Sequence, residues 1–250
     1  MKISLITVCF NSDKFIQRCI DSVSNQTEKV FEHILIDGDS SDRTIDILRD
    51  YTSNNDGYRK ELVSESDQGI YDAMNKGLSM ASGDYVWFLN SDDKLTDSSV
   101  IAFIKKELYK KDATMMAGVT RIRNKDKILR MYRPFKQHKQ FIPQQPHPSL
   151  LIKLDFLRSN NITFDSKKII ASDYKMQMEV IKNGGNTTIY DRVFSDQYAG
   201  GISNSSVKYK LLGLFESYIA FNEVFGKGGL KNTIYKFFLK FSQLRFKKNI

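Results

Sequence analysis

The sequence predicts an α/β fold in which a mostly parallel sheet is flanked by helices and followed by a basic helical C-terminal extension. Apolar runs alternate with segments of helical periodicity four times in roughly the first 90 residues, which is typical of a parallel sheet. The run at residues 85–89 has five consecutive bulky apolar residues, as expected for a strand buried on both faces. Because ligands bind beyond the carboxyl ends of strands in such sheets, polar residues that follow these strands are candidates for a functional site.

The composition indicates one large domain, or one domain with an extension. The chain has 250 residues, of which 41% are hydrophobic, and a formal net charge of +9. This charge indicates an anionic partner: nucleic acid, an anionic membrane surface or a phosphorylated substrate. Cys9 and Cys19 lie in apolar segments and predict small buried thiols in a reducing, cytoplasmic compartment. The first residues lack the pattern of a signal peptide, and no apolar run approaches the roughly 20 residues of a membrane span.

The first half of the chain is predicted to form the core of the sheet. Its predicted strands are residues 3–10, 33–37, 61–65 and 85–89. Each strand is followed by a polar turn and then by a helix with apolar residues on one face. Right-handed crossovers between parallel strands place Asn11, Asp37, Asp67 and Asp92 along one edge of this sheet.

The second half of the chain has a different pattern. Its predicted elements are a hairpin at residues 115–132, a short helix and a return strand at 156–164, a helix capped by Ser172, and an extended segment at 187–198. Three prolines around His147 predict a stiff loop between the hairpin and these elements.

The end of the chain is basic and amphipathic. Residues 224–250 contain no acid, and seven Lys or Arg alternate with aromatic residues there. One helical stripe would carry Leu230, Ile234, Phe237, Phe241 and Leu244. Two interpretations are open: a C-terminal helix packed on the body, or a basic helix lying on an anionic membrane. We therefore divide the chain into a domain at 1–205, with halves at 1–95 and 96–205, and an extension at 206–250.

Two adjacent carboxylates, Asp92 and Asp93, follow the buried run at residues 85–89. Hard oxygen ligands at a sheet edge suit a Mg²⁺ or Mn²⁺ ion that is shared with a substrate diphosphate. The alternative is an acidic turn that caps the next helix.

Seven short motifs follow one another between residues 3 and 203. They are ITVCFN at 6–11, IDGDSSDRT at 36–44, SDQGIYDAMNKG at 66–77, the segment 83–93, PHP at 146–148, ASDY at 171–174 and GGIS at 200–203. With these motifs in this order, the chain resembles the family 2 glycosyltransferases, which are nucleotide-sugar-dependent enzymes with the GT-A fold. The resemblance is strongest to bacterial members that build surface polysaccharides. Two positions depart from the family pattern: Gly38 replaces a frequent second acid, and Asn90 replaces the Asp that often begins the metal motif.

The resemblance implies a nucleotide site between the ends of the first two strands. Thr7 and Asn11 would line it, and Asp37 would accept a hydrogen bond from the base, with Asp39 compensating for the acid absent at position 38. Uracil has a ring N–H that a carboxylate can accept, which favours a UDP-sugar donor. Asp67 would lie near the nucleotide or the donor sugar. A helix-capping or turn role is the alternative for Asp37 and for Asp67.

The resemblance also implies the metal and catalytic residues. Asp92 and Asp93 would bind Mn²⁺ or Mg²⁺ and the ribose-diphosphate. Asp173 would be the general base that takes the proton of the acceptor hydroxyl, and its alternative role is that of a first-turn acid favoured by the helix dipole. His147 would contact the acceptor or the diphosphate, with anchoring of its loop as the alternative.

We therefore expect a metal-dependent, inverting glycosyltransferase at the inner face of the cytoplasmic membrane. Its acceptor would be a saccharide or a lipid-diphosphate-linked saccharide in surface-polysaccharide assembly, and we expect no nucleic-acid partner. One rival is a nucleotidyltransferase, but residues 11–13 do not form the Gly-rich basic phosphate loop expected after its first strand. The other rival is a non-catalytic basic module that binds membrane or nucleic acid.

Overall fold

The structure is a computed structural model that describes residues 1–124, 127–136, 141–200 and 206–242. The strands are β1 Ile3–Cys9, β2 Glu32–Asp37, β3 Arg59–Ser64, β4 Tyr85–Phe88, β5 Asp93–Leu95, β6 Met115–Asn124, β7 Lys127–Tyr132, β8 Leu150–Lys153 and β9 Thr187–Tyr198. The helices are α1 Ile16–Ser24, α2 Thr44–Ser53, α3 Ile70–Met80, α4 Val100–Lys110, α5 Leu154–Ser159, α6 Ser172–Lys182, α7 Val207–Phe225 and α8 Gly229–Ser242. A 3₁₀ turn at His147–Ser149 precedes β8.

The strands form one sheet in the order β3-β2-β1-β4-β8-β6-β9-β5, and β7 extends it beside β6. The four strands β3, β2, β1 and β4 are parallel, as the alternation of strands and helices predicts. Antiparallel β8 joins β4 to β6, and β9 pairs with β6 in parallel. Cys9 lies opposite Asp37 in the β1–β2 register, so the loops after these strands begin at the same level of the edge.

Helices cover both faces of the sheet, which accounts for the continuous apolar runs in its strands. Every residue of β1 and of β4 is buried. Side chains alternate between two apolar cores: Trp87 lies in one core with residues of α1, α2 and α4, whereas Phe88 lies in the other with residues of α3, α5 and α6. The sheet thus forms the middle layer of a three-layer α/β body.

Two elements of the second half differ from the prediction. The short helix is confirmed as α5, but the predicted return strand before Phe164 is absent, and the nearby strand is β8, which precedes α5. Ser172 does not cap α6, because its hydroxyl accepts the N–H of Asp165 while Ala171 occupies the N-cap position. The predicted hairpin is confirmed as β6 and β7, although its turn residues 125 and 126 lie outside the described residues.

The C-terminal helices pack on α6. Ala220, Phe221 and Val224 of α7 share an apolar cluster with Tyr174 and Met178 of α6. In α8, Asn232 donates to the hydroxyl of Tyr174 at 2.6 Å, and Lys236 donates to the hydroxyl of Ser217 at 2.9 Å.

The face of α8 that packs on the body is therefore polar, and its predicted apolar stripe is exposed. Leu230, Ile234 and Phe237 are all about half exposed or more. Phe241 and Leu244 carry the rest of this predicted stripe, but the side chain of Phe241 and the whole of Leu244 lie outside the described structure. None of the helices in the described ranges is long and apolar enough to cross a membrane.

Candidate active site

Hydrogen bonds join the loops that follow β1 and β2. Asn11, whose φ is 47°, donates its N–H to the hydroxyl of Ser40 and accepts the N–H of Ser41. Ser40 in turn donates its own N–H and hydroxyl to the carboxylate of Asp37. Two of the predicted nucleotide-binding residues, Asn11 and Asp37, therefore lie in one network at the carboxyl edge.

Asp37 is completely buried and is held by its neighbours. Besides Ser40, the hydroxyl of Ser64 donates to its Oδ2 at 2.7 Å, and the Sγ of Cys9 lies 3.7 Å from its Oδ1. The carboxylate thus stabilises the turn after β2, and a hydrogen bond to a base would have to replace or share one of these donors. The predicted role of Asp37 in base recognition stays a prediction.

Gly38 allows the carboxylate of Asp67 to approach the end of β2. A Cβ atom at position 38 would lie 2.5 Å from Oδ2 of Asp67 and 3.5 Å from the ring of Phe10. The other oxygen of Asp67 accepts the N–H of Gly69 at 2.8 Å. Asp39 is exposed and has a φ of 66°. The carboxylate of Asp67 therefore lies next to position 38, and the predicted compensating role of Asp39 stays a prediction.

The side chain of Thr7 points from β1 toward His33 of β2 and Cys19 of α1. It is completely buried, and its hydroxyl lies 2.9 Å from Nε2 of His33 and 3.9 Å from the Sγ of Cys19. Its hydroxyl is therefore engaged within the core beneath α1, and a direct contact with a nucleotide stays a prediction.

The turn that follows β4 is fixed by the start of α1. The N–H of Asp93 donates to the carbonyl of Asn90 at 3.0 Å and closes the turn. The hydroxyls of Ser12 and Ser91 lie 2.9 Å apart, and Arg18 donates to the carbonyl of Asp92 at 2.7 Å. These bonds hold the backbone of the turn and leave its carboxylates to interact elsewhere.

The carboxylate of Asp93 is buried, and neither of its oxygens has a hydrogen-bond partner among the residues that the structure describes. Burial, and then the negative charge of Asp92, raise the pKa of Asp93 well above its usual value. Burial also raises the pKa of Asp92, whereas the nearby Arg18 lowers it. A buried carboxylate without a partner is costly, and a bound cation would relieve that cost.

Neither Asp92 nor Asp93 lies at the start of the next helix. Asp93 lies in β5, and α4 begins at Val100 after Ser99. Asp97 accepts the N–H of Ser99 at 2.8 Å and is the acid closest to the start of that helix.

The donor atoms around Asp92 suit a hard cation, because they are carboxylate oxygens with the buried amide oxygen of Asn90 beside them. In the described part of the chain, no three His, Cys, Asp or Glu side chains are grouped to hold a metal ion. Mg²⁺ is commonly held by one or two carboxylates together with substrate phosphates, so this arrangement fits an ion that binds with its substrate.

Asp173 and His147 lie close together in the second half of the site. Asp173 is only 9% exposed in the first turn of α6, and its Oδ2 accepts a hydrogen bond of 2.9 Å from Gln144. Burial lowers the pKa of His147, and the charge of Asp173 opposes this effect. The Nε2 of His147 is buried without a partner in the described structure. The two predicted acceptor-side residues thus share one environment.

An aromatic cluster connects this environment to the end of β4. The ring of His147 stacks on Phe88 with centroids 5.8 Å apart, and Phe88 packs edge-on against Phe164 at 4.9 Å. Phe164 also stacks on Tyr71 of α3, and Tyr71 donates its hydroxyl to the carbonyl of Ile170. The cluster therefore connects the end of β4 with the surroundings of His147, and a shared site for Asp92 and Asp173 stays a prediction.

The sequence does not predict a site role for two residues of this region. Phe10 is 63% exposed directly after β1, whereas the sequence predicts it as the last residue of that strand. Gln144, the partner of Asp173, lies in a loop and has no recognisable sequence signal. Residues 201–203 of the predicted GGIS loop lie outside the described residues.

A surface cavity of about 530 Å³ lies between α1 and residues 94–98. Its lining includes Lys14, Arg18, Lys94 and Asp97, but none of the predicted site residues. The cavity adjoins the turn after β4, because Arg18 also donates to the carbonyl of Asp92.

The sheet order, the flanking helices and the polar carboxyl edge define a protein of the GT-A glycosyltransferase class. TarS of S. aureus, residues 1–349 solved with UDP-GlcNAc, matches 99% of this chain and 74% of its own with a TM-score of 0.73 at 17% identity. The mannosyltransferase PcManGT from Pyrobaculum calidifontis, solved with GDP-Man and Mn²⁺, matches 94% of this chain and 68% of its own with a TM-score of 0.72 at 17% identity. These similarities establish the fold.

The family model described as Glycosyl transferase family 2 matches residues 4–179, and the chain belongs to that family. A PGL/p-HBAD biosynthesis glycosyltransferase of Mycobacterium bovis is 38% identical to it over 99 residues. This match covers 40% of the present chain and 38% of the relative, so less than two fifths of that relative's length is matched.

Proposed function

We propose that this protein is an inverting glycosyltransferase that transfers a sugar from a nucleotide-sugar donor to a saccharide or lipid-linked saccharide acceptor. The buried, unpartnered carboxylate of Asp93 beside Asp92 supports this proposal most strongly, because it provides oxygen ligands at the carboxyl edge of a GT-A sheet. The aromatic cluster that joins this edge to the surroundings of Asp173 supports it further.

On the donor side, we assign Asp92 and Asp93 to binding of a Mn²⁺ or Mg²⁺ ion and the donor diphosphate. When bound, such an ion supplies Lewis-acid stabilisation of the leaving diphosphate. The residues of the β1 and β2 loops would hold the nucleoside: the exposed ring of Phe10 would stack on the base, and Asp67 or Asp37 would accept its N–H. Uracil offers such an N–H, so a UDP-sugar is the favoured donor.

On the acceptor side, Asp173 would act as the general base. The acceptor oxygen forms a bond to the anomeric carbon while the bond from that carbon to the diphosphate breaks, which inverts the configuration. The proton of the acceptor hydroxyl passes to a carboxylate oxygen of Asp173, and Gln144 orients that carboxylate. His147, held by Phe88, would contact the acceptor or the diphosphate from the same side.

The proposal is tested by incubating the protein with nucleotide-sugars in the presence of Mn²⁺, Mg²⁺ or EDTA and measuring the products. We expect metal-dependent release of free nucleoside diphosphate, with UDP-sugars among the substrates. Release of pyrophosphate would instead identify a nucleotidyltransferase. Binding of a nucleic acid without any turnover would favour the non-catalytic module.

We also propose that the protein docks on the anionic inner face of the cytoplasmic membrane through α7 and α8. Exposed apolar side chains line both helices, including Leu211 and Phe215 of α7 and Leu230 and Phe238 of α8. The two acids of α7 are engaged within the protein: Glu216 binds backbone N–H groups, and the partly exposed Glu223 pairs with Lys168 and Lys175. Because α8 contains no acid, the exposed surface combines apolar and basic side chains, which suits anionic lipid.

Vesicle sedimentation tests this docking. The double variant Leu230→Ser, Ile234→Ser should bind phosphatidylglycerol vesicles several-fold more weakly than the wild type, and salt should weaken the wild-type binding. Tyr109→Ser, which removes an exposed aromatic ring from α4, serves as the control. Equal vesicle binding by the wild type and the double variant would contradict the membrane proposal.

A further inference from the structure

The segment that leads into α6 is held by a carboxylate from the C-terminal extension. The backbone N–H groups of Ile169, Ile170 and Ala171 donate to Glu216 of α7 at 2.9, 2.8 and 2.9 Å. Glu216 is only 8% exposed, so these bonds are shielded from water. Hydrogen bonds to an ionised carboxylate are roughly twice as strong as neutral ones, and here three consecutive donors share one anion.

These three residues immediately precede the start of α6. N–H groups at the start of a helix lack partners within the helix, and an anion placed there is favoured by the helix dipole. Ala171 is the N-cap residue and provides no side-chain cap, and Glu216 accepts its N–H together with those of the two residues before it, which places an anion at the N-terminal end of α6. Ala171, the last of the three donors, is separated from Asp173 by one residue.

The same segment is fixed from its other side. Tyr71 of α3 donates its hydroxyl to the carbonyl of Ile170 at 2.7 Å, and the hydroxyl of Ser172 accepts the N–H of Asp165 at 2.6 Å. The carboxylate of Asp173 accepts hydrogen bonds from Gln144 and from the N–H of Tyr174. Its position therefore depends on where the first turn of α6 begins.

We propose that Glu216 is a positioning residue that sets the location of Asp173, so that the C-terminal extension forms part of the catalytic apparatus. This proposal rests on the proposed function, in which Asp173 is the general base. Glu216 lies beyond residues 4–179, the part of the chain that the family model matches, and no comparison assigns it a role. A displacement of a catalytic group by about 1 Å can lower a rate by about 100-fold, so loss of this anchor should affect turnover strongly.

The test is the steady-state kinetics of Glu216→Gln with the nucleotide-sugar that the wild type uses. Oε1 of Glu216 accepts the N–H of Ile169, and Oε2 accepts those of Ile170 and Ala171. In Glu216→Gln, the amide NH₂ replaces one carboxylate oxygen and therefore faces a backbone N–H. Two hydrogen-bond donors repel each other, so part of the segment would move away. We expect kcat to fall about 10- to 100-fold, with less than about a twofold change in the donor KM, because Glu216 lies on the acceptor side. The stoichiometry of UDP binding should stay the same as in the wild type.

Glu223→Gln is the matched control. Glu223 lies on the same helix and pairs with Lys168 and Lys175 near the same segment, but it accepts none of the three N–H groups. It should retain the wild-type kcat. If Glu216→Gln does not fold, Glu216→Asp keeps the charge and retracts it by one methylene group, and the same loss of kcat is expected.

The possible results separate this inference from the proposed function. If the wild type shows no metal-dependent turnover of any nucleotide-sugar, the proposed function fails and the role of Glu216 fails with it. If the wild type is active and Asp173→Asn is inactive, but Glu216→Gln and Glu223→Gln have the same kcat, only the positioning role is overturned.

Discussion

Phe10 is exposed although it directly follows a strand in which every residue is buried. Its ring lies beside Gly38, whose missing Cβ leaves space for the carboxylate of Asp67. A flat apolar ring next to a carboxylate at a sheet edge matches the two parts of a nucleobase: a π-face that stacks and an N–H that donates.

Phe10→Ala should therefore weaken the binding of UDP. Stacking of a base on an aromatic side chain contributes about 1–3 kcal/mol, which corresponds to roughly a 5- to 150-fold increase in Kd. Isothermal titration calorimetry with UDP and Mn²⁺ measures this change. Tyr109→Ala, which removes a ring of similar exposure from α4, is the control, and an unchanged Kd in Phe10→Ala would remove Phe10 from the base site.

Burial of His33 should make the stability of the protein depend on pH. Both ring nitrogens are hydrogen-bonded inside the core, to Thr7 and to Tyr51, and burial, with a smaller effect of Lys60, lowers its pKa to about 3. The unfolded chain binds a proton near pH 6.5. The stability that neutral His33 provides is therefore present above pH 6.5 and is lost as the pH falls toward 3.

We expect His33 to add about 1.4 kcal/mol per pH unit to the fall in unfolding free energy between pH 6 and pH 4. Urea denaturation of the wild type and of His33→Gln over this range measures the contribution as a difference between the two slopes. Because the carboxylates titrate in both proteins, their effect cancels in that difference. Parallel curves for the two proteins would show that His33 does not titrate in this way.

At the scale of elements, the strands of the first half could be predicted because their apolar runs are long and bounded by polar turns. β8 could not be predicted, because Leu150–Lys153 is short and follows directly on a proline-rich loop. The start of α6 also depends on distant residues, since Glu216 of α7 binds the N–H groups before it. The sequence around the start of α6 does not indicate that Glu216 binds there.

The sequence predicts the strand after which each candidate site residue lies, but not the strand face to which it belongs. Asp92 and Asp93 follow β4 as expected, and their binding of a metal ion and a diphosphate stays a prediction. For Thr7 the face was not predictable, because both faces of a central parallel strand are apolar and period-2 alternation disappears from the sequence. The proximity of Asp67 to Gly38 could not be predicted either, because the two residues lie in different loops, which follow β3 and β2.

The close approach of Asp67 to Gly38 leads to a specific prediction for the variant Gly38→Ala. The added Cβ would lie 2.5 Å from Oδ2 of Asp67, so the Asp67 side chain must move away. We expect UDP binding about tenfold weaker in this variant, whereas in an Asp67→Ala background the same substitution should have little further effect. Double-mutant titrations with UDP measure this coupling, and additive effects of the two substitutions would show that Gly38 acts independently of Asp67.

At the scale of the whole molecule, the proposed transfer reaction requires the two halves of the chain to converge on one site. The β1, β2 and β4 loops hold the predicted donor residues, and the segment before α6 holds the predicted base. The Phe88–His147 stack and the Tyr71–Ile170 hydrogen bond connect these parts across the sheet. The helices α7 and α8 complete this arrangement, because they hold the segment before Asp173 and its neighbour Tyr174.

A crystal structure with UDP and Mn²⁺, with the metal located by its anomalous scattering, tests this convergence most directly. We predict a manganese peak at coordination distance from the carboxylate of Asp92, with the uracil beside Phe10 and the diphosphate facing His147 and Asp173. Nucleotide bound in the surface cavity of about 530 Å³ between α1 and residues 94–98, with no metal at Asp92, would contradict the account.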